Sequence, residues 1–243
     1  MKKRIVVLLL VVCVITIVLF EVVNARTIYI GSNTRIISFG TKIYKFNSNK
    51  KVLLKKVNVY RDGKQVKGFL KSSKEEGKYG YYVVNSNNKT MNVDPLIASG
   101  SFAKLNVVSS KYYDNNYNED IINRISELLE KEISFNSVMN YKRISFDIDN
   151  DSVEEEIYLI LYNENESFVT NVFVYKNENV ISIIDSEIDY TEADSIESYS
   201  LAGLIDFNND KMYEIVLSKS TGDDTPTVYD IYTFSNDTVK KIK

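Results

Sequence analysis

An acidic loop occurs twice in this chain, about sixty residues apart, each time between runs of strand-forming residues. The first copy reads Asp147-Ile-Asp149-Asn-Asp151-Ser-Val153-Glu-Glu155-Glu156-Ile157, and the second reads Asp206-Phe-Asn208-Asn-Asp210-Lys-Met212-Tyr-Glu214-Ile215. Carboxylates and amides at alternate positions, followed by a glutamate, are the oxygen donors a hard cation takes from a short loop. The surroundings repeat as well. Strands are expected over residues 143–148, 157–162, 168–175 and 180–184, and again over 201–207, 213–218, 228–234 and 238–242. A fixed period with matching internal order means two copies of one supersecondary unit.

These loops resemble the FG-GAP and VCBS repeats of integrin-type propellers and bacterial surface proteins, whose motif is D-x-D-x-D-G-x-x-D before an apolar strand. The resemblance covers about a hundred C-terminal residues and leaves the N-terminal part aside. It implies Ca²⁺ held by Asp147, Asp149, Asp151 and Glu155 with the carbonyl of Val153. In the second loop it implies Asp206, Asn208, Asp210 and Glu214 with the carbonyl of Met212. The first loop is one residue longer before its strand, so Glu156 competes with Glu155 for the last position. Ser152 and Lys211 stand where the family has the glycine that accepts a positive φ, and both weaken the expected site. The first loop, richer in carboxylates, is expected to bind more tightly.

An EF-hand is excluded, because its twelfth loop position must be glutamate and Tyr158 and Leu217 stand there. Asp and Asn also gather in metal-free turns, where their side chains cap the local backbone, and that alternative stays open. Two units cannot close a propeller, which needs four or more blades. Two packed sheets are therefore expected, with a helix covering one face.

That helix is expected from Asn118 onward, where Asn118 can cap and Glu119 and Asp120 suit the first turn. Ile121, Ile122, Ile125, Leu128, Leu129 and Ile133 then recur at helical spacing. Upstream, residues 51–60 and 65–70 read as a hairpin about Asp62-Gly63, and residues 79–84 and 102–108 as further strands. Between Lys42 and Lys78 there are twelve Lys or Arg against Asp62, Glu75 and Glu76, whereas residues 114–230 are strongly acidic. The two parts can attract and dock, or the basic part can face anionic headgroups or an anionic cell-wall polymer. Nothing in the chain points to nucleic acid.

Three basic residues in 1–4 precede an apolar run over 5–20 that Val22 and Val23 extend, close to the length of a membrane span. The basic end favours the cytoplasm, which places the rest outside the membrane. A cleaved signal ending near Ala25 is the competing reading and would make the chain secreted. The only cysteine, Cys13, lies inside that run, so the exported part has no disulfide.

There is no histidine, which removes Ser-His and Cys-His chemistry. A Ser48-x-x-Lys51 match stands without its supporting motifs. The loop over 221–226 reads as a solvated acidic connection. The fold class expected is mainly β with one amphipathic helix. It comprises a membrane anchor over 1–25, a small basic β region over 26–110, and a helix plus two four-stranded repeats over 111–243. The function expected is a non-enzymatic, calcium-binding module for binding or adhesion at the outer membrane face. A structural subunit docked on an envelope protein is the alternative, and an acid-residue wall hydrolase a lesser one.

Overall fold

The computed structural model describes residues 26–30, 34–39, 42–47, 55–61, 64–75, 78–91, 97–100, 105–189, 197–221 and 227–242. The expected anchor with Cys13, the Ser48-x-x-Lys51 match, the Asp62-Gly63 turn, and residues 222–226 lie outside them. Among the described residues no helix is long and apolar enough to cross a membrane.

Seven strands form the N-terminal sheet: β1 (Arg26–Ile30), β2 (Thr34–Phe39), β3 (Lys42–Asn47), β4 (Lys55–Arg61), β5 (Lys64–Glu75), β6 (Lys78–Val84) and β7 (Ile97–Gly100). Their spatial order is β3-β2-β1-β7-β4-β5-β6, antiparallel throughout. Arg61 pairs with Lys64, the register of a two-residue hairpin. The basic region is therefore the largest sheet among the described residues, not a small appendage. Gly68 in β5 has a packing reason. A Cβ there would lie 2.5 Å from Val83 Cγ1 and 3.0 Å from Val59 Cγ2. Gly68→Ala is expected to cost about 1–3 kcal/mol through overpacking, read as a melting temperature several degrees lower.

Short strands β8 (Asn106–Val107) and β9 (Tyr113–Asp114) come next, followed by helix α1 (Glu119–Leu129). Asn118 caps α1 as its chemistry demands, accepting from the Ile121 N–H at 3.0 Å. Glu130 closes it in the left-handed conformation, φ 53°.

The repeats follow as β10 (Val138–Phe146), β11 (Glu155–Glu164), β12 (Ser167–Lys176), β13 (Asn179–Asp189), and then β14 (Glu197–Asp206), β15 (Glu214–Thr221), β16 (Val228–Ser235), β17 (Thr238–Lys241). Each copy is an antiparallel meander, as expected, but neither sheet stops at four strands. The first has the order β13-β12-β11-β10-β9 and the second β17-β16-β15-β14-β8. The fifth strand of each comes from the segment before α1; within the expected 102–108 strand, the described residues 105–108 hold β8, which pairs with the second repeat. An unpaired edge in each meander is what recruits these two-residue strands.

The two repeat sheets pack face to face. Ile144, Ile157, Leu159, Val172 and Val174 of the first meet Leu204, Ile215, Leu217, Tyr232 and Phe234 of the second. Alternate residues face the other way, since strand side chains have a period of two. From the first sheet, Tyr158, Ile160, Tyr162 and Phe173 turn outward and bury Ile122 and Ile125 of α1. From the second, Ile205, Val216, Tyr229 and Ile231 turn outward against Ile28, Tyr60 and Ile97 of the N-terminal sheet. The molecule is thus a stack: helix, first repeat sheet, second repeat sheet, N-terminal sheet. Central strands buried on both faces explain why residues 157–162 and 215–217 are continuous apolar runs.

Charge reinforces the last contact. Asp230 on β16 accepts from Lys45 of β3 at 3.0 Å and from Lys241 of β17 at 2.7 Å. Burial pushes the Asp230 carboxyl up, but the two ammonium groups outweigh it and hold the group below the usual aspartate range. Docking of the basic part on the acidic part is realised at this point.

Candidate metal centre

Both acidic loops connect the first and second strands of their meander, and they lie side by side. The N–H of Tyr213 donates to the carbonyl of Ile148 at 2.7 Å, bridging one loop to the other. The loops share one bonding scheme, shifted by a residue at a single bond: Asp206 holds the N–H of Asn209 where Asp147 holds that of Asp151. Asp147 accepts from the N–H groups of Asp151 and Ser152 at 3.1 and 3.0 Å, and Asp206 from those of Asn209 and Lys211, the latter at 3.1 Å. Asp151 accepts from Val153 N–H at 2.8 Å, and Asp210 from Met212 N–H at 2.9 Å. Glu155 Oε2 accepts from Ile148 N–H at 2.7 Å, and Glu214 Oε2 from Phe207 N–H at 3.1 Å.

These bonds fix the roles of several residues. Asp147 and Asp206 organise the turn by tying down the backbone with both carboxylate oxygens. Ser152 (φ 73°) and Lys211 (φ 72°) take the left-handed conformation that glycine would adopt more readily. The competition between Glu155 and Glu156 is also resolved. Glu155, fully buried, closes the loop; Glu156 faces the opposite side, where it accepts from Arg124 at 2.7 Å and from the Tyr158 hydroxyl at 3.0 Å. The residue that sits one position later in sequence falls on the other face of the strand.

The loops differ in what lies at their centre. In the first, the ammonium of Lys176 stands 2.7 Å from Asp149 Oδ2, 2.7 Å from Asp151 Oδ2 and 2.6 Å from Glu155 Oε1. It donates to the two aspartates and neutralises the Glu155 charge beside them. The Phe234 ring lies 5.5 Å away on the facing sheet. Burial would lower the Lys176 pKa, but the three carboxylates outweigh it and raise it. Burial pushes Glu155 up, with Lys176 and the Ile148 N–H pulling it back, while Asp151 is held low by its bond to Lys176. The oxygens of Asp147, Asp149 and Asp151 lie within 4.8 Å of one another, close enough to share an ion. Lys176 was not among the residues the loop pattern singled out. It lies at the far end of β12, across a strand and a turn.

The second loop has no such lysine. By strand register its counterpart is Thr233, which falls opposite Glu214 as Lys176 falls opposite Glu155. In its place is a cavity of about 300 Å³, bordered by Asn208, Asp210, Met212, Glu214, Phe234 and Ser235 among others. Glu214 is 4 % exposed and Asp206 fully buried, and among the described residues neither forms an ion pair. Burial, reinforced by Asp210 and Asp206, pushes the Glu214 carboxyl up to about 8, against the pull of the Phe207 N–H. Asn208 Nδ2 donates to Asp210 Oδ2 at 2.7 Å, holding these two side chains together.

The side chains of Asn208, Asp210 and Glu214 supply oxygen donors beside this cavity, which Met212 also borders. Carboxylate and amide oxygens are the donors that calcium takes. Asp206 accepts from Asn106 Nδ2 at 3.3 Å beside its backbone bonds and does not border the cavity.

Comparison of the chain with known protein families, with curated proteins and with solved structures found no match. The functional reading therefore rests on the residues of this chain.

Proposed function

We propose that this chain is a calcium-binding β-repeat module, held at the outer membrane face by residues 1–25, that serves binding or adhesion. The observation that carries the metal part is the cavity at the second acidic loop. There Asn208, Asp210 and buried Glu214 converge with no cationic partner among the described residues. A buried carboxylate needs a proton or a counter-cation, and a divalent ion supplies the latter. The anchor, the absence of histidine and the lack of a free cysteine outside residue 13 support a non-enzymatic, extracytoplasmic role.

Calcium at about a hundredfold excess over its Kd is expected to add about 2.7 kcal/mol to the folded state. Differential scanning fluorimetry of the full chain in detergent, in EDTA and across a calcium titration, measures this. Asp210→Ala is expected to weaken the response at least about tenfold in calcium concentration, as loss of one charged ligand should. An identical melting curve in EDTA and saturating calcium would rule out the metal part.

A further inference from the structure

We infer that Lys176 is the permanent cation of the first acidic loop, so that this loop holds an ammonium where its counterpart is open to a metal ion. Three observations converge. The Lys176 side chain is 2 % exposed; it donates to Asp149 and Asp151 at 2.7 Å each and pairs by charge with Glu155 Oε1 at 2.6 Å. The two bonds to aspartate are ordinary charge-assisted hydrogen bonds, longer than most calcium–oxygen contacts. The acceptors Asp149, Asp151 and Glu155 correspond one for one to Asn208, Asp210 and Glu214, which line the cavity of the second loop.

The third observation is the exchange of side chain at one position. One residue beyond the Glu156–Tyr175 and Ile215–Tyr232 pairs, Lys176 falls opposite Glu155 and Thr233 opposite Glu214. Where the lysine is present its ammonium fills the centre of the loop; where threonine stands, the space is a cavity. One substitution thus accounts for the difference between the two loops. The ammonium is tethered by its own strand, so its local concentration is fixed and no free ion is required. The first loop is then folded at any calcium concentration, and calcium sensitivity belongs to the second alone. This reverses the affinity order that the carboxylate count suggested.

Lys176→Ser removes the ammonium from the first loop and tests this. Equilibrium dialysis of the full chain in detergent against radioactive calcium counts bound ions. The variant is expected to hold one more calcium ion than the wild type, and its melting temperature to become more calcium-dependent. The increment is independent of the second loop: counts of zero and one, or of one and two, both support the inference. A wild-type count of zero would separately sink the calcium reading of the second loop. No increment in a folded Lys176→Ser, or two ions in the wild type, would overturn the inference.

A second measurement on the wild type holds even where the variant does not fold. Acetylation followed by peptide mass spectrometry is expected to modify Lys176 at least about tenfold more slowly than exposed Lys240, because reaction needs local opening. Millimolar calcium should leave that rate unchanged. Acceleration of Lys176 by calcium would mean the ion displaces the ammonium, and the inference would fall.

Discussion

Lys176→Met is expected to lower the stability of the calcium-free protein by about 3–5 kcal/mol, the usual consequence of removing one partner from a buried ionic cluster. The methionine keeps most of the volume against Phe234 but leaves Asp149, Asp151 and fully buried Glu155 without a counter-charge. Asp149 Oδ1 is already buried without a hydrogen bond, so the cluster has little else to draw on. Urea unfolding in EDTA should show a lower midpoint with an unchanged slope. The double variant Lys176→Met, Glu155→Gln is expected to recover part of the loss. It removes a buried charge with its partner, and the glutamine oxygen can still accept from the Ile148 N–H. A full loss in the double variant would place the effect in packing instead of charge.

The second large effect concerns pH. Glu214 has an ordinary carboxyl value of 4.5 when unfolded and about 8 in the folded, calcium-free protein, raised chiefly by burial. Between these values the folded state binds more protons than the unfolded one, so stability falls as pH rises. The penalty is absent below about pH 4.5 and complete above about pH 8, on the order of 5 kcal/mol across that window. Calcium favours the ionised carboxylate, so its stabilising effect should be greatest at the alkaline end. Chemical unfolding in EDTA from pH 5 to 9, repeated with Glu214→Gln, measures it. The variant should show a flatter profile over the window and a much reduced calcium increment. Parallel profiles for the two proteins would remove Glu214 as the source.

The two repeats, their loops and the helix were legible because each is encoded within a few neighbouring residues. Asn118 caps α1 and the apolar residues after it face the first repeat sheet, following the helical period. Ser152 and Lys211, one in each loop, both take a positive φ. Strand positions within the repeats were also accessible from β-branched and aromatic runs.

Other features depended on register. In β14 the ladder shifts between Leu201 and Gly203, so Leu201 and Leu204, three apart, face the same core. No alternation pattern announces that bulge; Gly203 at φ 156° is its only mark in the sequence. Likewise β8 and β9 are two residues each, below the length at which a pattern exists, and they form because each meander leaves an edge to be covered. The seven-stranded sheet was read as a minor region because its lysines masked the apolar alternation beneath.

The composition of each acidic loop was thus settled by local sequence, since a short loop brings its own donors together. The occupant of the first loop was settled by tertiary structure. Lys176 lies on β12 and reaches the first loop only because antiparallel pairing with β11 sets its register beside Glu155 and strand parity turns its side chain inward. A lysine at a strand end has no local signature separating a solvated charge from a buried counter-ion. That distinction arises only where three carboxylates from another segment converge on it, and convergence is a property of the folded pairing.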